Sequence, residues 1–443
     1  MKQLFTIVLS LVLSLPLCGA QSQSKAEQTA TPRYRNEFIT YSTRNLAEKG
    51  DRQGESYFID LLQHRKEAQT EKGRVVCSVE IPLLWRDRDI FLHLRGYGSA
   101  VAKVNGLTAG SKSDSRTPAE FYISNLVGDG VNTFEVEFAT TPQQPEELLP
   151  PENVAPEMFI YSQPPVRIDD IEIEAAPDAE QRHGVLRMKV IVSSSRSSAE
   201  NISVGYDIYS PAKELKYYDL RDVEIGARGV DTVEFSTNIY GAMDFLWSAA
   251  SPKLYDVTVY LKRNRVIAEY LSLKVGFGTT TFEGGKILRN GRAIDIKAVD
   301  YQAATDRKAT LQEMRQLKKE GINTLYTLAP QPYWFYELCD SEGFYVVDRA
   351  AIATDRHDDN RRLGGTIAND PAWCNEFIER QKGLYYRNRL HPSIIAWSMG
   401  TASGGGYNMY KAYEWFKSVE TIRPVVYPDG EWNNDLTMPA PRR

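Results

Sequence analysis

Cysteine is scarce in this chain of 443 residues, with four in all, which excludes a fold stapled by disulfides. Cys18 sits in the N-terminal apolar run, and the spacing of Cys77, Cys339 and Cys374 matches no zinc or redox motif. Three cysteines cannot all pair within one chain, so they read as small buried apolar residues. Excess positive charge is also missing. A formal net charge of −5 removes any electrostatic case for nucleic acid or an anionic membrane surface as partner. Apolar runs long enough to span a bilayer are lacking, because the stretch from Leu4 to Leu17 is too short. The glycine runs Gly364-Gly365 and Gly404-Gly405-Gly406 lack the Lys-Ser/Thr that completes a phosphate loop. No cofactor and no metal are expected.

What is present describes an exported multidomain protein. Lys2, the apolar run and Cys18-Gly19-Ala20 form a secretory signal cleaved near Ala20. Acylation of Cys18 is the alternative, disfavoured by the bulky Leu17 before it. The mature chain then has no transmembrane segment and belongs in the periplasm or cell envelope. A hydrophobic content of 42% and a charged content of 25% fit globular domains, and the length suits two to four of them.

Residues 21–33 are a low-complexity leader rich in Gln, Ser and Thr. Residues 34–167 read as short strands and turns. Arg74 to Ile81 and Phe134 to Phe138 alternate, Ile90 to Leu94 is a buried run, and Asn105-Gly106 is a hairpin turn. The Pro-rich stretch from Pro142 to Pro156 reads as a loop. Residues 168–276 form a second all-β unit, spaced as in an immunoglobulin-like sandwich. From 277 to 443 strands alternate with amphipathic helices, the pattern of βαβ units. Strands are expected at 294–299, 322–328, 344–348, 393–399 and 424–427, with a sixth at 435–438. Helices are expected at about 308–320, 333–342, 371–388 and 407–420.

Six stretches carry a family resemblance. Asp114-Ser115-Arg116-Thr117-Pro118-Ala119-Glu120-Phe121, Val104-Asn105-Gly106 and Gly130-Val131-Asn132 follow one order and spacing in the first unit. Leu246-Trp247-Ser248 and Ser251-Pro252-Lys253-Leu254-Tyr255 lie in the second. The run His391-Pro392-Ser393-Ile394-Ile395-Ala396-Trp397-Ser398-Met399-Gly400-Thr401-Ala402 lies in the third. Together they resemble glycoside hydrolase family 2, the β-galactosidase and β-glucuronidase group. The resemblance implies a multidomain β and α/β fold: a jelly-roll β-sandwich, an immunoglobulin-like β-sandwich and a TIM (β/α)8 barrel. The barrel would be incomplete, with about six strands.

The resemblance also implies where chemistry should be. In the family the fourth barrel strand ends Trp-Ser-x-Gly-Asn-Glu, and the glutamate is the general acid/base. Here Thr401-Ala402 stands in place of Asn-Glu. A retaining glycosidase needs two carboxyl groups about 5–5.5 Å apart, and the nucleophile belongs on a seventh strand beyond those read here. The first strand loses the family's Arg, His and Glu at Tyr301-Gln302-Ala303, Tyr326 stands where an arginine aligns, and Asp348-Arg349-Ala350 replaces an acidic motif. The expectation is a protein without hydrolytic chemistry that binds carbohydrate or acts as an envelope scaffold. Its alternative is a divergent or complemented β-glycosidase using Asp300, Asp429 or Glu431 as replacement acids. Tyr333, Trp334, Tyr336 and Trp397 are the candidates for stacking on a sugar. The cluster Asp355-Arg356-His357-Asp358-Asp359 reads as a surface loop. An unfinished barrel would leave edge groups unpaired, so a protein partner or a second copy is expected to cover them.

Overall fold

A computed structural model describes residues 33–66, 73–138, 154, 156–304, 306–354, 367–428 and 434–442. The secretory signal, the acylation alternative at Cys18 and the cluster Asp355 to Asp359 lie outside the described residues.

The first sandwich consists of two four-stranded antiparallel sheets. One sheet orders Phe58–Asp60, Glu157–Gln163, Asp89–Arg95 and Ala119–Tyr122; the other orders Arg74–Glu80, Val131–Phe138, Ala100–Val104 and Leu107–Lys112. Alternation places Val75, Leu92, Leu94, Phe134, Val136 and Ile160 in one apolar core. The hairpin at Asn105-Gly106 forms as its residues require. Their φ values are 51° and 80°, the positive pair of a two-residue primed turn.

The second sandwich sets a three-stranded sheet (Val166–Pro177, Gly184–Ser194, Val230–Ile239) against a four-stranded one (Glu200–Tyr209, Leu215–Ile225, Tyr255–Arg263, Val266–Val275). Val190, Val204, Tyr206, Val257 and Leu271 fill the space between them. A clasp ties this sandwich to the barrel. The Trp247 indole donates to the Asp340 carbonyl at 2.8 Å, and the Trp247 carbonyl accepts from Arg289 and Asn290. Gly343 is required where the clasp closes: its φ is 77°, and a Cβ there would lie 2.3 Å from the Ala249 carbonyl oxygen.

The barrel region is a five-stranded parallel sheet in sequential order: Ala298–Tyr301, Thr324–Thr327, Tyr345–Arg349, Ile394–Ser398 and Val425–Val426. Helices Arg307–Lys319, Tyr333–Glu342, Cys374–Asn388 and Tyr407–Val419 connect the strands. Asp306 caps the first helix by accepting from Ala309 N at 2.8 Å. One face of each strand meets the helices through Leu325, Val346, Ile394, Trp397 and Val425. The other face carries Ala298, Tyr326, Tyr345, Val347, Ile395 and Val426.

The sixth strand expected at 435–438 is absent. Residues 434–442 cross the inner face of the sheet instead, with Leu436 and Met438 against the inner cluster. Pro439 and Pro441 supply no N–H to a ladder, which is why the segment does not become a strand. It touches both edges of the sheet. At the fifth strand Asp435 N donates to Val425 O and Val425 N donates to Asp435 Oδ2, each at 2.9 Å. At the first strand Arg442 N donates to Ala298 O at 2.7 Å, and Arg442 bridges Val299 in parallel register. A backbone contact from the chain itself thus reaches each edge, at Val425 and at Ala298.

Candidate functional site

Barrel proteins work at the C-terminal ends of their strands, and there the fourth strand leads through Met399-Gly400-Thr401 to Ala402. This turn is held against the loop after the third strand. Thr401 N donates to Ile352 O at 2.9 Å, Thr401 bridges Ala353, and the Ser403 hydroxyl accepts from Thr354 N at 3.0 Å. Gly400 lies so close that a Cβ would stand 2.7 Å from the Ile352 carbonyl oxygen. Ala402 has a φ of 50°, a left-handed conformation that costs a residue with a Cβ about 1–2 kcal/mol. Strain of this kind concentrates at functional sites. Here it presents only a methyl group.

Asp300 points to the inner side of the first strand. Its side chain is 48% exposed and lies 3.8 Å from the Arg349 guanidinium. The other replacement acids, Asp429 and Glu431, lie outside the described residues. Tyr326 is buried on the same inner face, and its hydroxyl donates to the Pro439 carbonyl at 2.9 Å.

Gln302 joins two units. Its side-chain oxygen accepts from Arg116 of the first sandwich at 3.1 Å and from Gln331 at 3.2 Å. Gln331 in turn accepts from Ala303 N. Gln302 is a strut between the first sandwich and the barrel.

Among the described residues, Asp348 is the strongly perturbed carboxyl group at this end of the sheet. It is fully buried, and burial pushes its pKa up to about 6. Thr327 Oγ1, the Tyr336 hydroxyl and Asn388 Nδ2 donate to it at 3.1, 2.8 and 2.8 Å. With every near donor engaged inward, it braces the loops rather than facing a ligand. Its sequence signal was present, an aspartate ending the third strand, but the burial was not readable.

The four aromatic candidates do not converge. Tyr336 and Trp397 are fully buried, which corrects both as sugar platforms, because no ring face reaches solvent. Trp397 donates to Glu420 Oε2 at 2.9 Å and stacks on Phe416 among the helices. Trp334 packs against the same core. Tyr333 lines an open space, edge-on to His391 with centroids 5.2 Å apart. That space is a cavity of about 550 Å³ between the second sandwich and the barrel, lined also by Arg289, Arg389, Asp340 and Ser341. His391 Nδ1 pairs there with Asp340 Oδ2 at 2.6 Å.

Residues 283–440 match the family model "Glycosyl hydrolases family 2, TIM barrel domain", and residues 166–277 match "Glycosyl hydrolases family 2". The chain belongs to glycosyl hydrolase family 2. Family 2 relatives include a β-galactosidase of Priestia megaterium, 28% identical over 77% of this chain and 35% of its own. A β-galactosidase of Erwinia tasmaniensis is 30% identical over 74% of this chain and 33% of its own. The chain thus spans about a third of the length of these curated relatives. A crystal structure of Bacteroides uniformis β-glucuronidase superposes with a TM-score of 0.69 at 15% identity, covering 84% of this chain and 48% of that one. A putative β-galactosidase from Bacteroides fragilis gives 0.66 at 16% identity, covering 81% and 55%. At such identities the solved structures speak for the fold alone, and they agree with the sandwiches and the parallel α/β region of this family 2 chain. Among the described residues no helix is long and apolar enough to cross a membrane.

Proposed function

We propose that this chain is an exported family 2 protein that does not hydrolyse glycosides and instead binds carbohydrate or serves as an envelope scaffold. The observation carrying this reading is Ala402 at the strained turn after the fourth barrel strand. A methyl group cannot protonate a glycosidic oxygen, and general-acid assistance is worth about 10²–10⁴ in rate. The exchange of neighbouring polar positions for struts, Gln302 and Tyr326, supports the same conclusion.

Carbohydrate contact is assigned to Tyr333, the only one of the four aromatics that lines the cavity. Export rests on the N-terminal apolar run and predicts a mature chain beginning at Gln21, read by intact-mass spectrometry of the processed protein. A glycan array probed with the full chain, and repeated with Tyr333→Ala, tests the binding role. Signal lost in the variant supports it, and no signal with either protein leaves the scaffold role.

The alternative is a divergent β-glycosidase. Asp300 favours it, since its half-exposed carboxylate stands at the inner face of the sheet. Aryl β-galactosides and β-glucuronides with good leaving groups need little acid assistance and decide the matter. Turnover abolished by Asp300→Asn, Asp429→Asn or Glu431→Gln would overturn the non-hydrolytic reading.

A further inference from the structure

Three residues with no common spacing motif meet where the first sandwich touches the barrel. Glu37 comes from the segment before the sandwich, His93 from strand Asp89–Arg95 and Glu157 from strand Glu157–Gln163. One ligand atom from each lies within 4.8 Å of the other two. His93 is 3% exposed, yet its Nε2 makes no hydrogen bond. A buried ring nitrogen without a partner is costly and calls for an explanation.

We propose that Glu37, His93 and Glu157 form a divalent-cation site that takes a transition ion such as Zn²⁺ through two carboxylate oxygens and one imidazole nitrogen. The spacing suits this. His93 Nε2 and Glu157 Oε2 are 3.8 Å apart, near the roughly 3.4 Å separating tetrahedral ligands on bonds of about 2.1 Å. The carboxylates are held from outside the cluster. Arg387 takes Glu37 Oε2, and Arg95 takes Glu157 Oε1 at 3.2 Å. Each carboxylate keeps a second oxygen for the centre, the outer-shell arrangement that orients metal ligands.

A cavity of about 30 Å³ lined by Glu37, His93, Glu120 and Arg387 adjoins the cluster. It has room for a water as fourth ligand. Such an ion would lock the first sandwich to helix Cys374–Asn388, which carries Arg387.

The test strips the full chain with chelator and titrates Zn²⁺ alone by calorimetry, with zinc-edge absorption on the loaded protein. One ion per chain is expected, in a shell of nitrogen and oxygen at about 2.0–2.1 Å, lost in both His93→Gln and Glu157→Gln. Circular dichroism verifies folding. The 30% exposed Glu157 side chain keeps the test available if His93→Gln does not fold. No stoichiometric uptake by the wild-type chain, a sulfur shell, or uptake unchanged in folded Glu157→Gln overturns the site.

Discussion

The two faces of the barrel sheet have met different constraints. The helix-side face keeps a close-packed aromatic and aliphatic layer in which Trp397, Phe416 and Tyr385 touch one another. The inner face and the loops above it hold Ala402, Gln302, Tyr326 and an Asp300–Arg349 pair. Packing is a property of summed volumes, so many sequences preserve it and each loss costs stability. Acid catalysis depends on a single carboxyl group. One substitution removes it without disturbing the fold.

The largest effect should come from the packed face. Trp397→Ala removes a fully buried ring, its bond to Glu420 and its stacking with Arg423, and should cost about 3–5 kcal/mol in urea unfolding. A cost under 1 kcal/mol would break the contrast.

Asp348 sharpens it next. Its folded pKa, about 6, lies above the ordinary aspartate value of 3.8. Its contribution is therefore fully present below about pH 4 and lost as pH rises through about 6. That difference corresponds to about 3 kcal/mol. Unfolding free energies measured from pH 4 to 7 should show this decline in the wild-type chain. In Asp348→Asn that component should be missing.

Gln302→Ala takes the shared acceptor from Arg116 and Gln331 and should cost about 1–2 kcal/mol. If the residue instead tuned a ligand site, stability would be unchanged while glycan binding moved. The smallest effect belongs to Ala402→Gly. Release of the left-handed strain, set against glycine's larger unfolded-state entropy, should raise stability by about 0.5–1 kcal/mol in thermal unfolding.

Much of the fold was legible because it depends on local pattern. Alternation marked the sandwich strands, Asn105-Gly106 marked its hairpin, and the change of period after Gly276 marked the barrel. A helix is expected over about 371–388. The structure begins there with a short 3₁₀ turn, capped by Asp370 accepting from Ala372 N at 3.0 Å, before the helix starts at Cys374. The stretch 435–438 was misread as a strand because its apolar residues, Leu436 and Met438, do pack inward. Apolar content does not reveal whether backbone groups find a ladder. The aromatic candidates failed for a related reason: Tyr336 and Trp397 lie next to the right strands but face the helices.

By itself the sequence determined the element types, the two sandwiches followed by a parallel sheet, and the methyl side chain at position 402. These follow from periodicity, turn chemistry and residue identity, which act over a few residues. Only the tertiary structure decided that residues 434–442 reach both sheet edges, that Asp348 is buried among three donors, and that Glu37, His93 and Glu157 lie close together. Those outcomes join residues far apart in the chain, and the close packing that brings them together leaves no local trace.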